Sequence, residues 1–338
     1  MKKELKQILF FENLKAEYKT LGEVPNEIPD GYVLVKTKVS TLSCGTEKAN
    51  FIGGDVSGVQ PFPRKPGYSS AGEVVGIGNS VSSVLIGDRV VVTGFFGKHV
   101  NYVVVSEKNV VKIPNTVNYA DAAAVFIASF SLAGLRKVKL EIGESCLVMG
   151  LGILGQFAIK LARAMGAVPI IAVDPVKERR EMAIKNGADY SFDPFDNNAV
   201  SEIKRITNGG VNTAIEVTGV GAGLNQTLDC MKKLGRIALL GCTRNSDFSV
   251  DYYNKIHFPG ITLVGAHTAA RPQNESYPNY FTQNDDVKAL LNLIAGKRLT
   301  LNDIISEVHS PLECQCVYTR LVSEKNFPVG VQFDWSEE

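Results

Sequence analysis

The chain has no apolar run long enough to cross a bilayer; no stretch approaches the roughly eighteen apolar residues a spanning helix needs. It has no charge bias. Lysine and arginine number 36 against 35 aspartates and glutamates, a formal net charge of +1, so neither nucleic acid nor an anionic membrane surface is favoured as a partner. It has no internal repeat and no low-complexity segment. It has no disulfide framework, because its six cysteines, at 44, 146, 230, 242, 314 and 316, are scattered through a long chain. No secretory leader is legible. Met1-Lys2-Lys3 is followed at once by Glu4 and Lys6, and Ile8-Leu9-Phe10-Phe11 reads as a strand. A cytoplasmic globular protein is the expectation these absences leave.

What is present is enough sequence for two domains. The 338 residues exceed one ordinary core, and 45% hydrophobic with 21% charged residues is ordinary globular composition. Up to about residue 122 the texture is strand and turn. Gly31–Val39 alternates as a half-buried strand does, and Glu73–Ile77, Asp88–Val92 and Tyr102–Val105 are short strands between Gly-, Ser- and Asn-rich turns. That spacing predicts a compact, barrel-like β domain. An alanine-rich helix follows over Ala122–Leu135. Strands at Cys146–Met149, Ile170–Val173, Thr213–Val217 and Arg236–Leu240 then alternate with helices at Leu154–Met165, Lys177–Lys185 and Asn225–Lys233, and Ile261–Gly265 adds a last strand. The alternation predicts an α/β domain with a doubly wound parallel sheet over 123–269. The tail, 270–338, returns to mixed elements. In it Ser310-Pro311-Leu312-Glu313 reads as a capping box with proline at the first helical position. That places Cys314 and Cys316 two apart on a helix, facing nearly opposite ways, and argues against a metal chelate there.

The strongest motif is Gly150-Leu151-Gly152-Ile153-Leu154-Gly155, entered directly from the apolar strand and left by an amphipathic helix. Gly150 permits the tight turn, Gly152 lets a pyrophosphate approach the backbone, and Gly155 lets helix and strand pack closely. The helix N-terminus presents free N–H groups and positive dipole to the phosphates. Asp174 ends the next strand, nineteen residues beyond Gly155. A carboxylate there accepts the adenosine ribose hydroxyls and repels a 2′-phosphate, so NAD is expected over NADP. Lys177 and Arg179 keep NADP open. Thr218 and Gly219 end one strand, Gly241 and Cys242 the next, where ligands of such sheets bind.

With these residues in place, the chain resembles the medium-chain dehydrogenase/reductase superfamily, the zinc alcohol and polyol dehydrogenases, over nearly its whole length. Ser43-Cys44-Gly45-Thr46-Glu47 resembles the segment carrying the first catalytic zinc ligand. Pro66-Gly67-Tyr68-Ser69-Ser70-Ala71-Gly72-Glu73 resembles the Gly-His-Glu-x-x-Gly motif, and Gly87-Asp88-Arg89-Val90 is a further match. The resemblance implies a GroES-like β-barrel catalytic domain (1–122 and 270–338) and a Rossmann domain (123–269), with the catalytic cleft between them. It also implies that His267 stands where the family's backbone meets the nicotinamide amide. The family pairs its last Rossmann strand with a twin, so a homodimer or homotetramer is expected.

The departures concern metal. The histidine ligand falls on Tyr68, its glutamate neighbour on Ser69, and the third ligand near Ile127; only Cys44 remains. Catalytic zinc takes three protein ligands of N, S or carboxylate type. The four-cysteine structural lobe is missing from the Thr93–Asn101 segment. No zinc is therefore expected, and Cys44 reads as a small buried residue. Zinc takes bound water from a pKa of ~15.7 to ~7, roughly 12 kcal/mol of oxyanion stabilisation, which other groups must supply in part. Thr46 matches the hydroxyl that relays a proton in the zinc enzymes and also reads as a helix N-cap. Tyr68 stands in the lost histidine's place, either facing substrate or packed. His99 aligns with a position lining the substrate pocket and is the obvious acid/base at neutral pH, or else a structural histidine. Three functions follow for a small-molecule substrate: zinc-independent NAD-dependent oxidation of a secondary alcohol (polyol, sugar derivative or hydroxy acid), quinone or enoyl reduction, or NAD binding without catalysis.

Overall fold

The computed structural model describes residues 3–54, 61–246 and 248–338. In chain order the strands and helices are β1 Glu4–Glu12, β2 Lys15–Glu23, β3 Tyr32–Thr41, α1 Cys44–Phe51, β4 Ser70–Ile77, β5 Arg89–Val92, β6 Tyr102–Ser106, β7 Val110–Lys112 and α2 Tyr119–Lys137. Then come β8 Cys146–Met149, α3 Ile153–Ala164, β9 Ile170–Val173, α4 Lys177–Lys185, β10 Tyr190–Phe192, α5 Ala199–Ile206, β11 Val211–Glu216 and α6 Gly221–Asp229. The remainder are β12 Met231–Leu239, β13 Thr262–Gly265, α7 Gln283–Ala295, β14 Ile305–His309, α8 Cys314–Ser323 and β15 Gly330–Asp334. The chain divides into two units, Met1–Ile127 with Gln283–Glu338, and Ala128–Thr282. The second crossing falls where α7 begins, later in the chain than the composition shift near residue 270 suggests.

In the first unit β1 and β2 form an antiparallel hairpin, and a seven-stranded sheet runs β14-β15-β3-β4-β5-β7, with β6 also pairing β3. The tail strand β15 pairs antiparallel with β3, so the tail joins the sheet of the N-terminal region. β3 is long and central, which is why its burial is nearly continuous where the sequence alternates. Val33, Val35, Val74, Val90 and Val92 make one core. Phe10, Phe51, Tyr318, Phe333 and Trp335 dominate another, beneath α1 and α8. The Ser310 capping box forms as the sequence predicts, and on α8 Cys314 is buried while Cys316 is exposed.

The second unit holds a six-stranded sheet in the order β10-β9-β8-β11-β12-β13, every pair parallel. Counted from β8 this is the 3-2-1-4-5-6 order of a doubly wound dinucleotide fold, reversing direction between β8 and β11. β8 and β9 are buried on both faces, as parallel strands covered by helices must be. Three elements differ from expectation: β10 and α5 have no counterpart in the sequence reading, and a helix ends early. The helix predicted to reach Lys233 stops at Asp229, and Met231–Leu239 is a single strand. Leu234 sits at φ +62°, and the ladder with β11 shifts register across it. The two lysines fall in that register shift, between the Met231 pair and the Arg236–Leu239 ladder. Among the described residues no helix is long and apolar enough to cross a membrane.

Candidate active site

The glycine turn has the conformation its sequence requires. Gly150 lies at φ +95°, and a Cβ there would meet Thr218 Cγ2 at 2.9 Å. A Cβ on Gly155 would stand 2.0 Å from the Gly150 carbonyl oxygen, while one on Gly152 would meet nothing within 4 Å. Gly155 is thus fixed by packing of α3 on the turn, whereas the space beside Gly152 is open. Gly152 is the N-cap of α3, so the first-turn N–H groups receive no bond from the N-cap side chain.

Two buried carboxylates hold this end of the sheet. Asp174 is 4% exposed; its Oδ2 accepts Leu151 N–H and its Oδ1 accepts Val176 N–H, each at 2.8 Å. Each oxygen keeps a further lone pair for a ribose hydroxyl. The Arg179 guanidinium lies 3.9 Å from Asp174, and Lys177 pairs with Glu181. The second carboxylate, Glu216, was not singled out by sequence reading; its only signal is an acid closing an apolar strand before Thr-Gly. It accepts Thr218 N–H at 2.8 Å, the Thr218 hydroxyl and Gly219 N–H. Burial pushes its carboxyl above the ordinary range, against those bonds. The Thr218–Gly219 and Gly241–Cys242 turns lie backbone to backbone: a Cβ on Gly219 would meet Cys242 O at 2.6 Å. His267 is exposed, its Nδ1 accepting Ala269 N–H at 3.2 Å.

In the first unit, three hydroxyls meet. Ser43, not Thr46, is the N-cap of α1; Thr46 lies in the first turn. The Tyr68 phenol is bonded to Ser43 Oγ. Burial, the largest influence, pushes the phenol up to about 12, with the Ser43 and Thr46 side chains as further influences that lower it, so it is a neutral O–H at physiological pH. The Tyr68 ring packs against Phe95 and Phe126 with centroids 5.5 and 6.0 Å apart. Phe95 is 39% exposed and stands at φ +65°, a costly conformation for an aromatic residue. His99 corrects the expectation of an open acid/base. It is 0% exposed, with Nδ1 on Ser40 Oγ at 2.7 Å and Nε2 on Glu47 Oε2 at 3.0 Å. It belongs to the packing beneath the hydroxyls.

A family model described as zinc-binding dehydrogenase matches residues 154–284, and one described as alcohol dehydrogenase GroES-like domain matches residues 29–115. L-threonine 3-dehydrogenase of Pyrococcus abyssi is 32% identical over 275 residues, covering 72% of this chain and 77% of that protein. The chain belongs to the medium-chain dehydrogenase/reductase superfamily. D-guloside 3-dehydrogenase of Escherichia coli is 26% identical over 272 residues, 79% of this chain and 77% of that protein. The crystal structure of 2R,3R-butanediol dehydrogenase from Bacillus subtilis superposes with a TM-score of 0.82 at 24% identity, covering 98% of this chain and 99% of that one. This medium-chain dehydrogenase is an alcohol dehydrogenase-like oxidoreductase, with a GroES-like domain and a parallel α/β domain.

Its residues at the zinc positions do not fit that metal. Cys44 is half-buried, and its thiol is turned toward the carbonyl oxygens of Val329 and Pro328, 3.6 and 3.8 Å away. Tyr68 is bonded to hydroxyls, Ser69 donates to Ala123 O at 2.6 Å, and Ile127 is fully buried and apolar. Among the described residues no group of three or more His, Cys, Asp or Glu is arranged to hold a metal ion, and zinc requires three such donors.

Proposed function

We propose that this protein is an NAD-dependent, zinc-independent dehydrogenase of a secondary alcohol: a polyol, sugar derivative or hydroxy acid. The hydroxyl cluster of Ser43, Thr46 and Tyr68, standing where the zinc enzymes hold metal ligands, carries the reading. NAD fits the other unit. Asp174 has acceptor capacity for two ribose hydroxyls, the α3 N-terminus takes the pyrophosphate, and Arg179 is drawn to Asp174 and so competes poorly for a 2′-phosphate. The nicotinamide supplies the hydride acceptor or donor when bound.

In the oxidation direction the substrate O–H donates to the Tyr68 oxygen. As the substrate's hydride leaves, that proton passes to Tyr68 while the phenol's own proton moves to the Ser43 hydroxyl and that hydroxyl's proton to bulk water; reduction runs the same transfers in reverse. Thr46, beside the phenol, helps to orient it. Such acid–base help is worth roughly 10²–10⁴ in rate, well short of the zinc contribution. Turnover is therefore slow, or the substrate's C–H bond is activated by a neighbouring group. The test is NADH formation from NAD⁺ and a panel of secondary alcohols by protein stripped with a chelator. Turnover should survive stripping, and Tyr68→Phe and Thr46→Ala should each lower kcat at least tenfold with KM little changed. Activity that appears only on adding zinc, tighter binding of NADP than NAD, or full kcat in both variants would refute the proposal.

A further inference from the structure

Beneath the hydroxyls lies a buried polar cluster that the mechanism above does not use. Glu47 is 1% exposed. Its Oε1 accepts Ser43 N–H at 2.8 Å, and its Oε2 receives His99 Nε2 at 3.0 Å and Tyr318 O–H at 2.6 Å. On the other edge of the imidazole, Ser40 Oγ lies 2.7 Å from Nδ1 and accepts the indole N–H of Trp335 at 2.8 Å. The directions of these bonds follow from donor counting. An indole N–H can only donate, so Ser40 accepts from Trp335 and has one proton left to give. Among the described contacts, His99 Nδ1 is the acceptor that faces it. Nδ1 must therefore be unprotonated and Nε2 must carry the hydrogen, which it gives to Glu47. The reverse tautomer leaves the Ser40 proton without an acceptor at a fully buried site, which is costly. All five groups are satisfied in one arrangement.

His99 also touches the other side of the active-site contact. Gly67, next to Tyr68, lies flat on the imidazole: a Cβ there would stand 2.8 Å from its Cγ and 2.7 Å from His99 N. His99 N–H donates to Pro66 O at 3.2 Å. One imidazole thus seats the strand of chain that carries Tyr68, and through Glu47 it seats the helix end that carries Ser43.

We infer that Glu47 and His99 are positioning residues for the hydroxyl cluster, with His99 locked as the neutral Nε2–H tautomer so that Ser43 and Tyr68 are both held in place. The inference rests on the dehydrogenase reading for its functional consequence and on the hydrogen bonds alone for its geometry. Neither residue touches substrate, and neither exchanges a proton in the reaction.

The tests separate positioning from catalysis and from mere structure. Nitrogen-15 NMR of the histidine rings in the unmodified protein at neutral pH, with His99 assigned by its loss in a His99→Gln variant, should show the Nε2–H neutral form. A Nδ1–H form or a doubly protonated ring overturns the inference. In kinetics, Glu47→Gln and His99→Ala should lower kcat more than tenfold with KM within threefold. His99→Gln keeps an N–H where Nε2 stood and should retain at least a third of kcat. Loss in His99→Gln equal to that in His99→Ala would make His99 a proton carrier and overturn the assignment. Full kcat in Glu47→Gln would do the same. If the unmodified protein turns over no alcohol, the dehydrogenase reading falls, and the ring tautomer still upholds or overturns the Glu47–His99 geometry.

Discussion

The Asp174 carboxylate accepts the backbone N–H of Leu151 at 2.8 Å, tying the acid that closes β9 into the glycine turn that follows β8. Asp174 therefore shapes the turn before any cofactor arrives. Asp174→Ala orphans the Leu151 and Val176 N–H groups, and an unsatisfied buried donor costs about 1–3 kcal/mol. The variant should melt several degrees lower without cofactor, bind NAD more weakly by at most a few kcal/mol, and improve in relative NADP binding. Thermal melts and fluorescence titrations measure both. An unchanged melt in the cofactor-free protein would show that the two backbone bonds contribute nothing.

Two glycines three apart should respond in opposite ways. Gly155→Ala forces a methyl to within 2.0 Å of the Gly150 carbonyl oxygen, where the obstacle is backbone. Its cofactor-free melting temperature should fall sharply. Gly152→Ala meets nothing within 4 Å and has an ordinary φ of −68°, so the protein should fold normally and lose NAD affinity alone. Equal melting temperatures for the two variants would contradict this division of labour.

Acid should weaken the tail. Glu307 bonds Arg320 at 2.8 and 3.0 Å, and Arg320, with His309, brings its carboxyl down to about 2. A carboxyl depressed in the folded state binds its proton more readily when unfolded. Its stabilisation is therefore complete above pH ~4.5 and is lost as the pH falls toward 2. The site is partly exposed, so solvent screening limits the gain to about 1 kcal/mol. Glu307→Gln should lower the urea midpoint at pH 7, and the gap from the parent should close near pH 2. A gap constant with pH would mean the pair is not responsible.

Self-association is expected through β13, which ends the six-stranded sheet. The segment leading to it exposes Tyr252, Tyr253 and Phe258, and Leu234 beside it is 74% exposed. An open edge and an apolar patch together invite a twin strand. Sedimentation should give a dimer or tetramer at micromolar concentration, and a charged residue at Leu263 should shift it toward monomer. A monomer in the parent protein would count against this interface.

The parallel sheet was legible because each buried strand is a short apolar run followed by a glycine or an acid, as at Met149–Gly150 and Val173–Asp174. β12 was not, because Lys232 and Lys233 continue a helical pattern, while its ladder runs through Met231 and Arg236–Leu239 on either side of them. The cofactor glycines and Asp174 were readable as a local motif. The support of the hydroxyl cluster was not: Glu47 finds its partners 52 residues away at His99 and 271 residues away at Tyr318, separations no local pattern encodes. His99 drew attention as a titratable ring, yet its surroundings satisfy both nitrogens. Glu216 passed unnoticed because an acid at the end of a strand looks like a solvated turn.

Glu47, Asp174 and Glu216 share one habit: each is a buried carboxylate accepting backbone N–H groups of a site segment, Ser43 for the first, Leu151 and Val176 for the second, Thr218 and Gly219 for the third. The candidate-site loops of each unit are therefore shaped from behind, by the protein's own acids, and do not wait for a ligand to order them. Little conformational entropy remains to be lost when cofactor or substrate arrives, so a large share of the contact energy is retained as affinity. Amide exchange at these N–H groups should accordingly be slow in the empty protein and change little on saturation, the behaviour of a preorganised receptor.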